Sequence, residues 1–273
     1  MHHVLSTHLF VNHRLTVAQL DKIQHAGIPA VEIFCARQHL DYRDRAQITE
    51  LGHWFRDSDL KLHSIHAPMY NDDIWGRSGP HSVITITEPV KGKRLEMVDE
   101  IKRALEIAEQ IPFRFLVQHI GTPNEAFDEK KLEAAMTSVE HLRAFAKPLG
   151  VRVLVENIPN ELSTPERLVE FIQTMHFDDI GVCFDCGHAH MMGGIPEAFA
   201  ILKKHICSTH VHDNHKDKDT HLWPGNGSIN WKETMELLRT APQTPPLLLE
   251  VEGEEKKNSS EEVSATFRKL EDS

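Results

Sequence analysis

The sequence predicts an α/β protein built as a single barrel of eight parallel strands, each followed by a helix. Three observations support this (β/α)8, or TIM barrel, prediction. Short apolar runs alternate with amphipathic segments along the chain, and 273 residues suffice for one such domain spanning 1–273. No G-x-G-x-x-G follows the first apolar run, which disfavours a dinucleotide-binding open sheet.

The predicted strands are short runs rich in β-branched and other apolar residues. Most are continuously apolar rather than alternating, which is typical of parallel strands covered by helices. Eight strands are enough to close a barrel, and an open, doubly wound sheet is the alternative. The predicted strands cover residues 4–10, 30–34, 60–66, 113–119, 151–156, 181–185, 206–212 and 247–251.

The segments between the strands place apolar residues on one face, as amphipathic helices do. Gly27 follows the first of these segments and is typical of the position just beyond a helix end. Thr164 and Pro165 are typical of a helix start, as cap and first-turn residue. The predicted helices cover 16–25, 45–56, 89–110, 129–147, a fifth that opens at 163–166, then 196–205, 231–239 and 261–270.

The longest irregular segment, residues 67–88, follows the third strand. A loop of this length in a compact domain is usually functional or disordered. In a barrel it would lie over the mouth at the carboxyl ends of the strands. A second loop, predicted at 189–195 after the sixth strand, would border the same mouth. We expect both loops to contribute to specificity.

Composition disfavours several classes of protein. The formal net charge of −11 disfavours nucleic acid as a partner, because the chain as a whole repels phosphates. No apolar run is long enough to span a membrane and no secretory signal is visible, so we expect a cytoplasmic protein.

The four cysteines are predicted to be reduced thiols, with Cys183 and Cys186 on opposite faces of a strand. A homo-oligomer is compatible with the sequence, which leaves the oligomeric state open.

Polar side chains end or directly follow the apolar runs of strands three to eight. A charge at the rim of an apolar core is unfavourable unless it is paired or bound to a metal. In a parallel barrel these strand ends meet at one mouth, so we expect the residues to converge on a metal ion. They are His66, His119, Glu156, Asp185 with His188 just beyond it, His210 and Glu250.

A dense group of histidines and aspartates lies at residues 208–231, around the end of strand seven. By itself this group is either a solvated polar loop or part of a metal site. His210 belongs to the strand end and is the ligand expected from this stretch. Asp219 and His221 would bind metal only in a polynuclear site, and would otherwise shape the mouth. His215 and Asp217 are predicted to be solvated.

Seven segments together resemble the xylose isomerase-like barrel superfamily, and the resemblance covers nearly the whole chain. This group contains sugar and sugar-phosphate isomerases and epimerases, inosose and dehydroshikimate dehydratases, and endonucleases of the endonuclease IV type. The segments are HAP at His66, QHIG at His119, VEN at Glu156, FDCGHAH at Asp185 and His188, HVHDN at His210, DTHLWPGNGSI at Asp219 and His221, and LLLEVEG at Glu250.

The resemblance implies one divalent metal held by Glu156, Asp185, His210 and Glu250. Such an oxygen-rich set suits Mn, Mg or Co, and Zn is also compatible. The implied activity is isomerisation or epimerisation of a sugar, sugar phosphate or related polyol through an enediolate. The two glutamates would then be the catalytic base and acid.

The resemblance also implies alternatives. One is a dehydratase of the inosose or dehydroshikimate type. The endonuclease branch uses three zinc ions held by nine residues, and all nine positions are matched in type, with His66, His119, His188, Asp219 and His221 joining the four ligands above. The net negative charge disfavours a duplex DNA ligand, so we expect a small carbohydrate partner. Glu32, at the end of strand two, and His212, which alternates with His210, are further candidates for substrate contact.

Overall fold

The structure, a computed structural model, describes residues 1–77, 79, 81–176, 178–253 and 260–273. Within these residues eight parallel strands form a nearly closed barrel with helices between them, as the sequence predicted. Strands β1 to β7 are neighbours in chain order, β8 pairs with β1, and Val211 bridges Leu249 where the ring closes. The strands are β1 (His3–Ser6), β2 (Ala30–Phe34), β3 (Lys61–His66), β4 (Phe115–His119), β5 (Arg152–Glu156), β6 (Gly181–Asp185), β7 (Ile206–His210) and β8 (Leu247–Leu249).

The helices pack around the outside of this sheet. None of those in the described ranges combines the length and hydropathy that crossing a bilayer requires. The α-helices are α1 (Val17–His25), α2 (Arg45–Asp57), α3 (Lys91–Leu105), α4 (Glu129–Ala146), α5 (Pro165–Thr174), α6 (Cys186–Met191), α7 (Ile195–Leu202), α8 (Trp231–Leu238) and α9 (Ser260–Glu271).

Two short helices at the mouth of the barrel differ from the prediction. Strand β1 ends at Ser6 rather than at residue 10, because the Ser6 hydroxyl accepts the His8 backbone N–H and opens a 3-10 helix, Thr7–Phe10. After β6, helix α6 takes up the start of the predicted 189–195 loop. The Asp185 carboxylate caps α6 by accepting the His188 backbone N–H at 2.6 Å.

Other boundaries shift by a few residues. Strand β7 ends at His210 rather than at residue 212, because Asp213 pairs antiparallel with Leu222 and draws the chain away from the sheet. Helix α3 ends at Leu105 and continues as a 3-10 helix, Glu106–Glu109, instead of running to residue 110.

The long segment at 67–88 reaches the mouth of the barrel. Its Ser78 and Pro80 lie outside the described residues. The Trp75 ring packs edge-on against Phe34, the last residue of β2, with 5.1 Å between centroids. This contact places the segment beside the carboxyl ends of the strands.

Alternation along the strands sorts side chains between two apolar clusters. Val153 and Val155 of β5 pack in the large cluster shared with the helices, whereas Leu154 lies in a smaller cluster inside the barrel. Cys183 belongs to the inner cluster and Cys186 to the outer one, but Cys186 begins α6 instead of continuing the strand as predicted. All four cysteines are free and buried.

Candidate metal centre and active site

Four side chains meet where strands β5 to β8 end. Glu156, Asp185 and His210 are the last residues of their strands, and Glu250 directly follows β8. The His210 Nδ1 lies 3.3 Å from Glu156 Oε1 and 3.1 Å from Glu250 Oε2. The Asp185 Oδ2 is 3.7 Å from the same nitrogen. The structure therefore gathers the four predicted ligands around one buried nitrogen.

Some polar atoms of this cluster lie close to charged neighbours but form no hydrogen bond with them. Among the described residues, His210 Nδ1, Glu156 Oε2 and Glu250 Oε1 are buried and have no hydrogen-bond partner. Unsatisfied buried groups of this kind are strongly unfavourable. A divalent cation would satisfy them together, since carboxylate oxygen and imidazole nitrogen are its common ligands. The residues present thus fit the metal ion that the strand ends predicted.

A second group of side chains borders the first. The His188 Nε2 lies 3.0 Å and the His221 Nε2 3.3 Å from Asp219 Oδ2. The His212 ring stacks on His221 with centroids 4.0 Å apart. Burial lowers the pKa of His221, but the carboxylates of Asp219, Glu250 and Asp185 together outweigh burial and raise that pKa to about 10. These four residues could also hold an ion.

His66 and His119 complete the cluster on the side of β3 and β4. Their Nε2 atoms are 3.2 Å apart, and the His119 Nε2 lies 3.3 Å from Glu156 Oε2. His66, His119 and Glu156 are a third set that could hold an ion. All nine residues singled out by the resemblance therefore lie in one contiguous cluster.

The two glutamates of the centre differ in their electrostatic surroundings. Burial raises the pKa of Glu156, but the neighbouring His210 and His119 outweigh burial and hold it well below the usual range. Burial also raises the pKa of Glu250, and there His210 and His221 do not reverse the shift. The two carboxyl groups are thus chemically distinct in the protein alone.

Glu32 lies beneath the centre rather than at its rim. The residue is in the middle of β2, and its side chain enters the barrel, where it is fully buried. Its Oε1 is 3.2 Å from His210 Nε2, and its Oε2 accepts a hydrogen bond from the Ser64 hydroxyl at 2.7 Å. A carboxylate on one ring nitrogen orients the other toward a metal and sets the tautomer. This placement favours positioning of His210 over the predicted substrate contact.

His212 is held against Asp185 and is also fully buried. Its Nε2 lies 3.1 Å from Asp185 Oδ2. A Cβ atom on Gly187 would lie 2.0 Å from His212 Cε1, so this close approach requires glycine in the FDCGHAH segment. The contacts of His212 favour support of Asp185 over the predicted contact with substrate.

The other polar residues of 208–231 hold the loop together. Asp213 is buried and accepts hydrogen bonds from Trp231 Nε1 at 2.8 Å and from the Gly225 backbone N–H at 2.9 Å. Asp213 therefore fixes the loop that follows β7. His215 and Asp217 are exposed, as expected for a solvated loop.

His8 is a residue of the site that the sequence analysis missed. It is 5% exposed, and its ring centroid lies 4.9 Å from that of His221 and 4.8 Å from that of Phe34. The first strand was predicted to run through residue 10, so His8 was counted as a strand residue. The polar run at 6–8, which interrupts the apolar pattern, was the available signal.

The chain belongs to the xylose isomerase-like TIM barrel family, whose model matches residues 20–271. An uncharacterised protein of Methanocaldococcus jannaschii is 28% identical over 246 residues, which cover 86% of this chain and 78% of that protein. The inosose isomerase of Halalkalibacterium halodurans is 24% identical, over 82% of this chain and 78% of the relative. A relative with a named activity is thus an isomerase, which supports an enzyme.

Solved structures share the whole architecture. A D-tagatose 3-epimerase-like protein superposes with a TM-score of 0.80 at 22% identity, over 100% of this chain and 97% of the other. The IolI protein with a bound zinc atom superposes with a TM-score of 0.75 at 19% identity, over 99% and 96%. At these identities the likeness establishes the fold.

Proposed function

We propose that the protein is a divalent-metal-dependent isomerase or epimerase acting on a sugar, a sugar phosphate or a related polyol. The observation that carries the proposal is the pair Glu156 and Glu250, whose oxygens approach one nitrogen of His210 from β5 and from the end of β8. The reactions named for two relatives, an inosose isomerase and a D-tagatose 3-epimerase-like protein, support this class of chemistry.

The ion would be held by Glu156, Asp185, His210 and Glu250. Mn, Mg, Co and Zn all suit this set of ligands, and the zinc atom of the IolI protein supports a divalent ion. When bound, the ion would supply Lewis acidity toward two vicinal oxygens of the substrate.

The two glutamates would move the proton. One carboxylate would remove it from the carbon beside the substrate carbonyl, and the other carboxyl would return a proton to the opposite face or to the adjacent carbon. His8, Phe34 and Trp75, whose rings contact one another, would border the substrate at the mouth of the barrel.

The test is exchange of a substrate C–H proton with deuterated solvent, followed by NMR on a panel of ketoses and inososes. We expect wild-type protein to exchange one such proton, and Glu156→Gln or Glu250→Gln to slow exchange by about 10²–10⁴. Glu140→Gln, an exposed glutamate on α4, is the matched control and should exchange at the wild-type rate. No exchange with any panel member, or full exchange by both variants, would exclude the proposal. A product that has lost water would identify the dehydratase alternative instead.

A second candidate is a three-metal phosphodiesterase resembling the endonuclease branch. The observation that favours it is the second group, His188, Asp219 and His221, which could hold an ion beside the first centre. Elemental analysis of the purified protein separates the two candidates. One metal per chain supports the isomerase or epimerase, whereas three metals with cleavage of an abasic duplex would support the phosphodiesterase.

A further inference from the structure

The amino end of the barrel holds a separate pocket, at the opposite end of the strands from the metal centre. Its volume is about 550 Å³, within the range of small-molecule sites. Phe115 of β4 and Cys207 of β7 form its floor. Both are nearly buried and belong to the apolar cluster inside the barrel.

The walls of this amino-end pocket are cationic. Arg114 precedes β4, Arg152 begins β5, and both line the pocket together with His2 and His63. No aspartate or glutamate is among the described residues that line it. In a chain with a formal net charge of −11, this concentration of basic groups is a local exception.

The two arginines make contacts that do not neutralise their charge. Arg152 donates from Nε to the Asp179 carbonyl at 2.7 Å and from Nη2 to the Ile180 carbonyl at 3.0 Å. The Arg114 guanidinium lies over the Phe115 ring, 5.2 Å from its centroid. In the described part of the chain neither arginine forms an ion pair with a carboxylate. Guanidinium groups that no carboxylate neutralises are suited to bind oxyanions.

His63 supplies a buried group without a partner beside the arginines. It is 7% exposed, and its Nε2 has no hydrogen-bond partner among the described residues. Its ring packs edge-on against Phe115, with centroids 5.3 Å apart. Burial, opposed by Glu32 and assisted by His2 and Arg114, lowers the pKa of His63 to about 4. A bound anion would raise this pKa, and it would accept a hydrogen bond from the ring.

We propose that this pocket binds a small organic anion through its phosphate or carboxylate group, with Arg114 and Arg152 as the charged contacts. The site is independent of the metal centre and of the reaction proposed there. Phosphate and carboxylate ligands share an oxyanion, which the arginines would contact. The pocket is larger than this charged group and leaves room for the attached organic part.

The experiment is calorimetric titration of the purified full-length protein with inorganic phosphate and, separately, with succinate. We expect saturable binding of at least one anion, weakened about tenfold or more by Arg114→Gln and further by Arg114→Gln with Arg152→Gln. Arg56→Gln, an exposed arginine at the end of α2, is the matched control and should bind as wild type does. Phosphate binding alone would assign a phosphate ligand, and succinate binding alone a carboxylate.

Arg152 also bonds two backbone carbonyls, so the double variant is checked for folding by circular dichroism. Arg114 makes no such bond among the described residues, and the single variant keeps the test decisive if the double variant unfolds. The proposal is overturned if neither anion binds saturably. It is also overturned if Arg114→Gln binds both anions as tightly as wild type.

Discussion

The two ends of the barrel differ in chemistry although the same strands supply both. Strand β5 begins with Arg152 in the cationic pocket and ends with Glu156 in the metal centre. Beside it, Arg114 precedes β4 and His119 ends that strand. Four residues of strand span roughly 13 Å, so opposite charges are separated by little more than the thickness of one apolar layer.

The comparison shows how a parallel barrel sorts function by strand direction. Every carboxyl end lies on one side, so metal-binding side chains gather there, while the amino ends collect a different set of residues. Leu154, between Arg152 and Glu156, lies in the inner cluster that separates the two ends. Whether the ends act independently therefore depends on this layer.

Removing part of the apolar layer between the two ends should have the largest effect, a loss of stability. Leu154→Ala deletes a fully buried side chain inside the barrel, and we expect a loss of about 2–5 kcal/mol in the free energy of unfolding. Urea denaturation measures it, with Leu95→Ala, at a 36% exposed position on α3, as the control. A loss no larger than that of the control would show that the layer is loosely packed and the ends are poorly separated.

A smaller effect, on metal affinity, is expected from replacing Glu32, the carboxylate that contacts His210. Glu32→Gln removes the charge next to His210 Nε2, and we expect metal affinity to fall by about 10–100-fold. Competition with a chelator measures the affinity directly, without reference to activity. Glu50→Gln on the exposed face of α2 should leave it unchanged. Wild-type affinity in Glu32→Gln would mean that His210 is oriented without this contact.

The smallest effect is the contribution of His63, at the amino end, to the pH dependence of stability. Burial lowers the pKa of His63 in the folded protein to about 4, from the ordinary histidine value of 6.5. The unfolded chain therefore binds the extra proton more readily, so the contribution of neutral His63 to stability is complete above pH 6.5 and is lost as the pH falls toward 4. Between pH 7 and pH 4.5, wild type should lose on the order of 1–2 kcal/mol more than His63→Gln.

Unfolding titrations in buffer free of phosphate and carboxylates measure this difference. His53→Gln, at an exposed position on α2, is the control and should follow wild type. Equal pH dependence in His63→Gln and wild type would show that the amino end accommodates the charged ring. The two ends would then no longer differ in how burial affects their histidines.

Much of the architecture follows from local patterns. The strand at 30–34 and the strand at 181–185 have the predicted limits: the first directly follows Pro29, and the second begins at Gly181 and ends at Asp185. Thr164 caps α5 by accepting the Arg167 backbone N–H, as the helix-start pattern predicted. The prediction failed at His8, since a side-chain cap at Ser6 turned an apparent strand into a 3-10 helix.

The sequence by itself determined the eight-stranded barrel and the group of residues at its mouth. Short apolar runs separated by amphipathic segments indicate parallel strands, and the geometry of a barrel brings their carboxyl ends to one place. The family resemblance then selected Glu156, Asp185, His210 and Glu250 from the polar residues at those ends. Their roles as ligands stay a proposal.

Only the tertiary structure decided what lies beneath and behind that mouth. The register between β2 and β3 shifts next to Glu32, which enters the barrel under His210 instead of standing at the rim. The meeting of Arg114, Arg152 and His63 at the amino end likewise depends on three neighbouring strands. Strand register and distances across a barrel are set by packing between segments far apart in the chain, so local patterns could not reveal them.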